Sequence, residues 1–526
     1  MPLKTVHKPL GFVLGIIAFA AILFLPPLSS FQPIAEWLLS NGNTGLTVSE
    51  LIHSMRVVLA LLTLMVFWWL SEAVPLPVTA LMPAVVLPIF HIAGIANGAA
   101  AELTPKAVLM NYANPVIYLF LGGFLLAAAA QKWKLDRRFT LWLLTRGNLA
   151  KDSRKIVLAM MAVSALMSMW ISNTATVAML LPLGLGLTSL MGAQMGSSRF
   201  GTAVMLGIAW AASIGGVGTI IGTPPNGIAL GILNTTFAGD PTYERITFFD
   251  WMKFGVPYVF IFVPIAWLVL MKLFPPEQRS VPGGKAQLTD DYRKLGAMSA
   301  GAKGTLMVLA FVVVLWLTNP FWPAIMPTAL AHQLSWIDEY AIGLIGGVLM
   351  FLIPINWKER TFLLEWRDSQ FVDWGTLLLF GGGIALSDAM FKTGLANWIA
   401  EGFVTLLGTP SPLMLVATVV ILTDFLTEVT SNTAVTSMMV PIMISIAQTT
   451  GANPIFVAVA CTVAASMAFM LPVATPPNAL VYGSGYVSLR DMVRAGFILN
   501  MIGWILTVIV LIVFGVWVFG VFDAGF

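Results

Sequence analysis

Ser172-Asn173-Thr174-Ala175-Thr176-Val177-Ala178-Met179-Leu180-Leu181-Pro182 is answered, 259 positions later, by Ser431-Asn432-Thr433-Ala434-Val435-Thr436-Ser437-Met438-Met439-Val440-Pro441. Each stretch follows an apolar arm with a polar triplet and then a second apolar arm. The same offset relates Ser168 to Thr427, hydroxyl residues four positions before the triplets, and Gly122-Gly123 to Gly381-Gly382. Further on, Gly222-Thr223-Pro224-Pro225-Asn226 is answered by Ala474-Thr475-Pro476-Pro477-Asn478 at an offset of 252, so the second copy is seven residues shorter between triplet and Pro-Pro. The order of features is kept, which is an internal repeat.

The repeat lies in a chain that is apolar nearly throughout. Of its 526 residues, 58% are hydrophobic and 10% are charged, against roughly 25% charged in soluble domains. Runs such as 10–25, 57–70, 260–271 and 501–518 are almost purely apolar and close to bilayer-spanning length. The composition excludes a soluble protein and predicts one large, all-α, polytopic membrane domain. The net charge of +3 does not mark a nucleic-acid partner, because the basic residues lie in loops between apolar spans. A lone Cys461 excludes an intramolecular disulfide and reads as a small buried residue. Lys4 and Lys8 precede the first apolar run as in a signal peptide, yet no small-residue cleavage pattern follows before Pro26. That run predicts a transmembrane helix.

Charge sets the expected topology. Lys132, Lys134, Arg137, Arg138, Arg146, Lys151, Arg154 and Lys155 crowd one loop, and Lys272, Arg279, Lys285, Arg293, Lys294 and Lys303 crowd the Pro/Gly-rich linker 272–303. Both are expected on the cytoplasmic side of a cell inner membrane. Residues 26–52 and 393–489 carry no Lys or Arg, so their loops are expected outside. Threading gives a cytoplasmic N-terminus, about eleven crossings and an external C-terminus near Asp523. The segments 154–190 and 412–450 read as re-entrant hairpins, whose irregular tips are tolerated only inside protein or along a cavity. The expected organisation is an N-terminal helix and external loop (1–50), a first repeat (51–273), a cytoplasmic linker (274–303) and a second repeat of opposite orientation (304–526).

The chemistry of the motifs is that of an ion and anion site. Two consecutive prolines remove two backbone donors and break the span. A break frees carbonyls at the end of one half-helix, which suit a cation, and N–H groups at the start of the next, which suit an anion. The Ser, Asn and Thr oxygens of the tips suit sodium, and Asn173, Thr174, Asn432 and Thr433 can donate to carboxylate oxygens. A pair of such devices, oppositely oriented, is the mark of a secondary transporter with its site near the bilayer midplane. Asp424 and Glu428 lie inside the second hairpin, where the 259 offset puts Ala165 and Met169 in the first. That asymmetry argues against a role in symmetric cation sites and leaves a proton or substrate role beside packing against polar groups. The glycine pairs read as places of close helix approach.

The doubled Ser-Asn-Thr and doubled Thr-Pro-Pro-Asn, spread over nearly the whole chain, resemble the divalent anion/sodium symporter family, which carries dicarboxylates, citrate or sulfate. The resemblance implies a homodimer in the lipid bilayer, each protomer with a scaffold domain and a transport domain moving as an elevator. It implies one sodium site at Ser168, Ser172, Asn173 and the Gly222 carbonyl, and a second at Thr427, Thr430, Asn432 and the Ala474 carbonyl. Substrate is expected at Asn173, Thr174, Thr223, Asn432, Thr433, Thr475 and Pro476. Thr223 stands where relatives often carry serine. The leading expectation is sodium-coupled uptake of a C4-dicarboxylate such as succinate, malate or fumarate, with co-transported sodium and no organic cofactor. Sodium-independent dicarboxylate exchange and sodium-coupled citrate or sulfate symport are the alternatives. An intramembrane enzyme is the remote one, since the four histidines fall outside the repeated motifs and form no zinc pattern.

Overall fold

The computed structural model describes residues 3–40, 45–146, 152–280 and 283–519, so the C-terminus near Asp523 lies outside the described residues. Helices dominate. Eight of the described helices are long and apolar enough to cross a membrane, and two of these, Asn173–Leu190 and Asn432–Thr450, begin at the Ser-Asn-Thr triplets. The other six, three shorter apolar helical stretches (Lys8–Phe24, Leu76–Ile89 and Glu339–Leu352) and two helix pairs interrupted at Pro-Pro are compatible with eleven crossings. Side chains such as Ile17, Phe260, Met307 and Val513 expose their apolar surface, as lipid-facing positions do.

Each half repeats the same order of elements. A long helix (Pro115–Lys132; Trp374–Thr393) leads to a shorter one (Leu135–Thr145; Leu395–Leu407). Two arms follow (Ser153–Ser168 and Asn173–Leu190; Pro412–Thr427 and Asn432–Thr450). An interrupted helix comes next (Arg199–Gly216 and Pro224–Thr236; Pro454–Ala464 and Pro476–Gly483), and a long closing helix (Phe248–Leu273; Leu489–Val510) ends each half. The closing helices start on matching caps, in which the Thr247 and Ser488 hydroxyls each donate to the aspartate three residues on at 2.6 Å.

The core lies around the interrupted helices. Every residue from Phe200 to Gly216 is buried, as expected for a helix that is apolar on all sides. Close approach is bought with glycine: a Cβ at Gly122 would stand 2.1 Å from the Gly343 carbonyl oxygen, and one at Gly382 2.1 Å from that of Ala80. The two basic segments meet, since Arg138 donates to the Leu295 and Gly296 carbonyls at 3.0 and 2.9 Å, just past a helix (Gly284–Lys294) inside the linker.

The helical architecture expected from the sequence is accompanied, among the described residues, by two small antiparallel ribbons. Ala93–Ala96 pairs with Ala99–Glu102, and Pro354–Asn356 with Thr361–Phe362. Asn97 and Gly98 both take positive φ (51° and 74°), the tight hairpin turn that an Asn-Gly pair favours.

Candidate functional site

Each triplet begins a helix. Ser172 caps the second arm of the first hairpin, its hydroxyl accepting from the Ala175 N–H at 3.3 Å, and Ser431 is the cap residue in the second hairpin without that side-chain bond. Asn173 and Asn432 are the first helical residues, and the amide oxygen of each turns back to the preceding arm. Ser168 Oγ donates to Asn173 Oδ1 at 2.5 Å, and Thr427 Oγ1 donates to Asn432 Oδ1 at 2.7 Å. The same hydroxyl–amide pair closes both tips.

Each tip adjoins the break of its own repeat. In the first, a Cβ placed on Gly216 would meet Asn173 Oδ1 at 2.7 Å and the Thr223 Cβ at 3.1 Å, and one placed on Gly222 would meet the Gly216 carbonyl oxygen at 2.5 Å. Asn173, Gly216, Gly222 and Thr223 are therefore brought together. In the second, the Thr427 hydroxyl is also 2.9 Å from the Ala465 carbonyl, just past the end of Pro454–Ala464. The other expected residues are less uniform. Thr223, Ala474 and Thr475 are buried at the breaks, Thr433 is buried where its counterpart Thr174 is exposed, and Pro476 is exposed. The Thr430 hydroxyl points to the Trp69 carbonyl at 3.4 Å, not to Asn432.

The breaks are held by residues that the sequence reading did not assign. Asn226 Nδ2 donates to the carbonyls ten and seven residues earlier, Gly216 at 3.0 Å and Thr219 at 2.8 Å. Asn478 Nδ2 does the same with Ala468 at 2.9 Å and Leu471 at 3.1 Å. The signal was present, because asparagine follows Pro-Pro in both copies. These bonds fix which end of each amide is which, and leave Asn226 Oδ1 and Asn478 Oδ1 buried with no hydrogen-bond partner among the described residues. The carbonyls freed at Val217 and Phe469 take indole N–H groups, from Trp251 at 2.8 Å and Trp210 at 3.1 Å.

Glu428 packs against polar groups. Its carboxylate accepts from the Phe469, Met470 and Leu471 N–H groups at 2.7, 2.8 and 3.0 Å and from Asn500 Nδ2 at 2.8 Å. Asp424, one turn earlier, is fully buried with both oxygens unpartnered among the described residues. Cys461 is buried, as its sequence context implied.

The two clusters are joined by reciprocal packing. Pro224–Thr236, beyond the first break, lies against the second hairpin arm Asn432–Thr450, and Pro476–Gly483, beyond the second break, lies against Asn173–Leu190. This interlocked pair of hairpins and breaks is matched by a family model, "Sodium:sulfate symporter transmembrane region", over residues 46–521. The chain belongs to the sodium:sulfate symporter family. It is thereby a multi-pass membrane protein of the group that its motifs resemble. The chain is 35% identical to the "Sodium-dependent dicarboxylate transporter SdcS" of Staphylococcus saprophyticus over 97% of its own length and 91% of that protein. It is 35% identical to the SdcS of Staphylococcus aureus strain USA300 over 86% of its length and 84% of that protein. Its fold is similar to that of the YdaH transporter of Alcanivorax borkumensis, with a TM-score of 0.55 and 15% identity over 88% of this chain and 99% of that one. MtrF of Neisseria gonorrhoeae gives a TM-score of 0.53 and 14% identity over 93% of this chain and 98% of that one.

Proposed function

We propose that this chain is a secondary active transporter that couples sodium to the inward movement of a C4-dicarboxylate, by an elevator motion of the hairpin-bearing domain. One observation carries the reading: two tips, each closed by the same hydroxyl–amide pair and each set beside a broken helix. Four helix N-termini start at these features, at Asn173, Pro224, Asn432 and Pro476. At Asn173 and Asn432 the first-turn N–H groups supply partial positive charge for a dianion without a buried arginine, whereas the Pro-Pro starts contribute through the helix dipole alone.

Sodium is cargo here. Ser168, Ser172, Asn173 and the Gly222 carbonyl would hold one ion, and Thr427, Thr430, Asn432 and the Ala474 carbonyl the other. The residues fit a hard cation, being neutral oxygen donors, and each break adds a buried amide oxygen that nothing else occupies. Dicarboxylate is favoured over sulfate because the relatives of highest identity above are named for dicarboxylate transport. If sodium charge exceeds substrate charge by one, each turnover gains about 2.3 kcal/mol per 100 mV of membrane potential.

The test is uptake of labelled succinate, citrate and sulfate into proteoliposomes with and without an inward sodium gradient. Succinate accumulation that requires sodium and rises with an inside-negative potential is expected. Accumulation indifferent to sodium but dependent on internal counter-substrate would replace symport by exchange, and preference for sulfate would overturn the substrate.

A further inference from the structure

We infer that Glu428 is a positioning residue of the second cation site, its carboxylate holding the broken segment of the second repeat in a cation-binding shape. The inference rests on the sodium coupling proposed above and deepens it.

The argument begins with the first repeat. There the hairpin tip is tied to the break by Thr219, whose hydroxyl donates to the Met169 carbonyl. The counterparts of Met169 and Thr219, at the 259 and 252 offsets, are Glu428 and Leu471. Leucine has no hydroxyl, so the same tether cannot form. Instead the Glu428 side chain accepts from the Leu471 N–H at 3.0 Å and gathers the two preceding N–H groups as well. The pair of positions is coupled in both repeats, with donor and acceptor exchanged between side chain and backbone.

All four partners of Glu428 are donors, three backbone N–H groups and the Asn500 amide, so both carboxyl oxygens serve as acceptors. Without Glu428, three consecutive N–H groups freed by the break would stand unserved, that of Phe469 in the buried core and those of Met470 and Leu471 at half-buried positions. Leu471 is the node through which this reaches the site. Its N–H is held by Glu428, and its carbonyl accepts from Asn478 Nδ2 at 3.1 Å and from the Ala474 N–H at 3.2 Å. Ala474 bears the carbonyl assigned to the second ion. On its other side Glu428 directly follows Thr427, whose hydroxyl bonds both Asn432 and the Ala465 carbonyl. Asp424 shares none of these links, its oxygens having no partner among the described residues. The first repeat has methionine where the second has this carboxylate, so the two breaks are held to their tips in different ways.

The experiment is a sodium titration of the melting temperature of the purified protein without substrate, alongside the sodium dependence of succinate uptake. Glu428→Gln keeps the shape, removes the charge and sets an amide NH2 against donors. It is expected to raise the half-saturating sodium about tenfold in both assays, one decade of binding constant. The half-saturating succinate, measured at saturating sodium, should stay within about twofold. Glu428→Asp, which keeps the charge on a shorter stem, should recover part of the sodium affinity. A Glu428→Gln titration that superimposes on the unaltered protein overturns the inference, as does an equal loss of sodium and succinate affinity. Should Glu428→Gln not fold, Asn500→Ala decides alone: it strips one donor and leaves the carboxylate, with an expected rise of about threefold, and an unchanged titration overturns the inference. If the unaltered protein itself shows no stabilisation by sodium, the coupling falls, and the inference with it, an outcome told apart because no variant is needed to see it.

Discussion

Replacing Asn226 or Asn478 by alanine tests the symmetry of the two breaks. Each amide serves two buried carbonyls, at 3.0 and 2.8 Å for Asn226 and at 2.9 and 3.1 Å for Asn478. Both side chains are fully buried, so no water takes over when the amide is removed. Without the amide the Gly216 or Ala468 carbonyl is left unserved, at about 1–3 kcal/mol, while the Thr219 or Leu471 carbonyl keeps the Gly222 or Ala474 N–H and loses one bond of about 0.5–1.5 kcal/mol, for about 1.5–4.5 kcal/mol together. The unpartnered amide oxygen leaves with the side chain, which offsets roughly 1 kcal/mol of that loss. The expected destabilisation is therefore about 0.5–3.5 kcal/mol for each variant, equal between the repeats to within about 1 kcal/mol. Reversible unfolding in mixed micelles, with the unaltered protein as reference, measures it. A loss below about 0.5 kcal/mol, or a large loss in one repeat and none in the other, would refute the claim that these side chains hold the breaks open.

A second perturbation addresses the closing helices, and a third the base of the first hairpin. A Cβ at Gly496 would stand 2.4 Å from the Phe469 carbonyl oxygen and 2.6 Å from the Met470 Cα, both backbone atoms of the segment that Glu428 grips. Gly496→Ala should cost about 1–3 kcal/mol and abolish saturable uptake, whereas retained uptake with an unchanged melting temperature would contradict that crowding. Asp152 caps the first arm and meets Arg279 at 3.4 Å, outside the candidate membrane spans. Partial burial raises its carboxyl, but the Lys155 and Arg154 N–H groups and the Arg279 guanidinium outweigh that and hold it below 3.8, its ordinary value. A depressed folded value means that the tether is complete above the usual carboxylate range and is lost as pH falls through the folded value. Hydrogen exchange of residues 153–156 should accelerate in the unaltered protein as the pH falls through that depressed value, below the ordinary 3.8, and Asp152→Asn should remove that step.

The repeat, the hairpins and the breaks were legible because each needs particular residues: proline pairs to break a span, a polar triplet to turn one. The two β-ribbons were passed over although Asn97-Gly98 announces the first, because hydropathy over long windows averages away a ten-residue ribbon. Asn226, Asn478 and Asn500 were not assigned, since nothing in a linear reading says which carbonyls a buried amide will reach. Glu428 was left open between two roles for the same reason. Its four donors come from a segment more than forty positions away and from the closing helix.

Comparison of the repeats separates what satisfaction of polar groups requires from what a ligand requires. The Val217 carbonyl takes its indole from the closing helix of its own repeat, whereas the Phe469 carbonyl takes one from the interrupted helix of the other. The tip-to-break tether runs through a threonine hydroxyl in one copy and a glutamate carboxylate in the other. At such points the freed backbone group needs a partner, and any donor or acceptor of suitable reach serves, so the residues differ between copies. Ser-Asn-Thr is the contrary case. Ser172 makes a capping bond that Ser431 does not, and Thr174 is exposed where Thr433 is buried, yet all three residue types are the same. Local hydrogen bonding accounts for the asparagine, which accepts the same hydroxyl bond in both tips, but gives no reason for the identity of the serine and the threonine. A solute held between the two tips does, because it would meet both sets of oxygens and amides at once, and that is the physical support for placing the site where the two hairpins end.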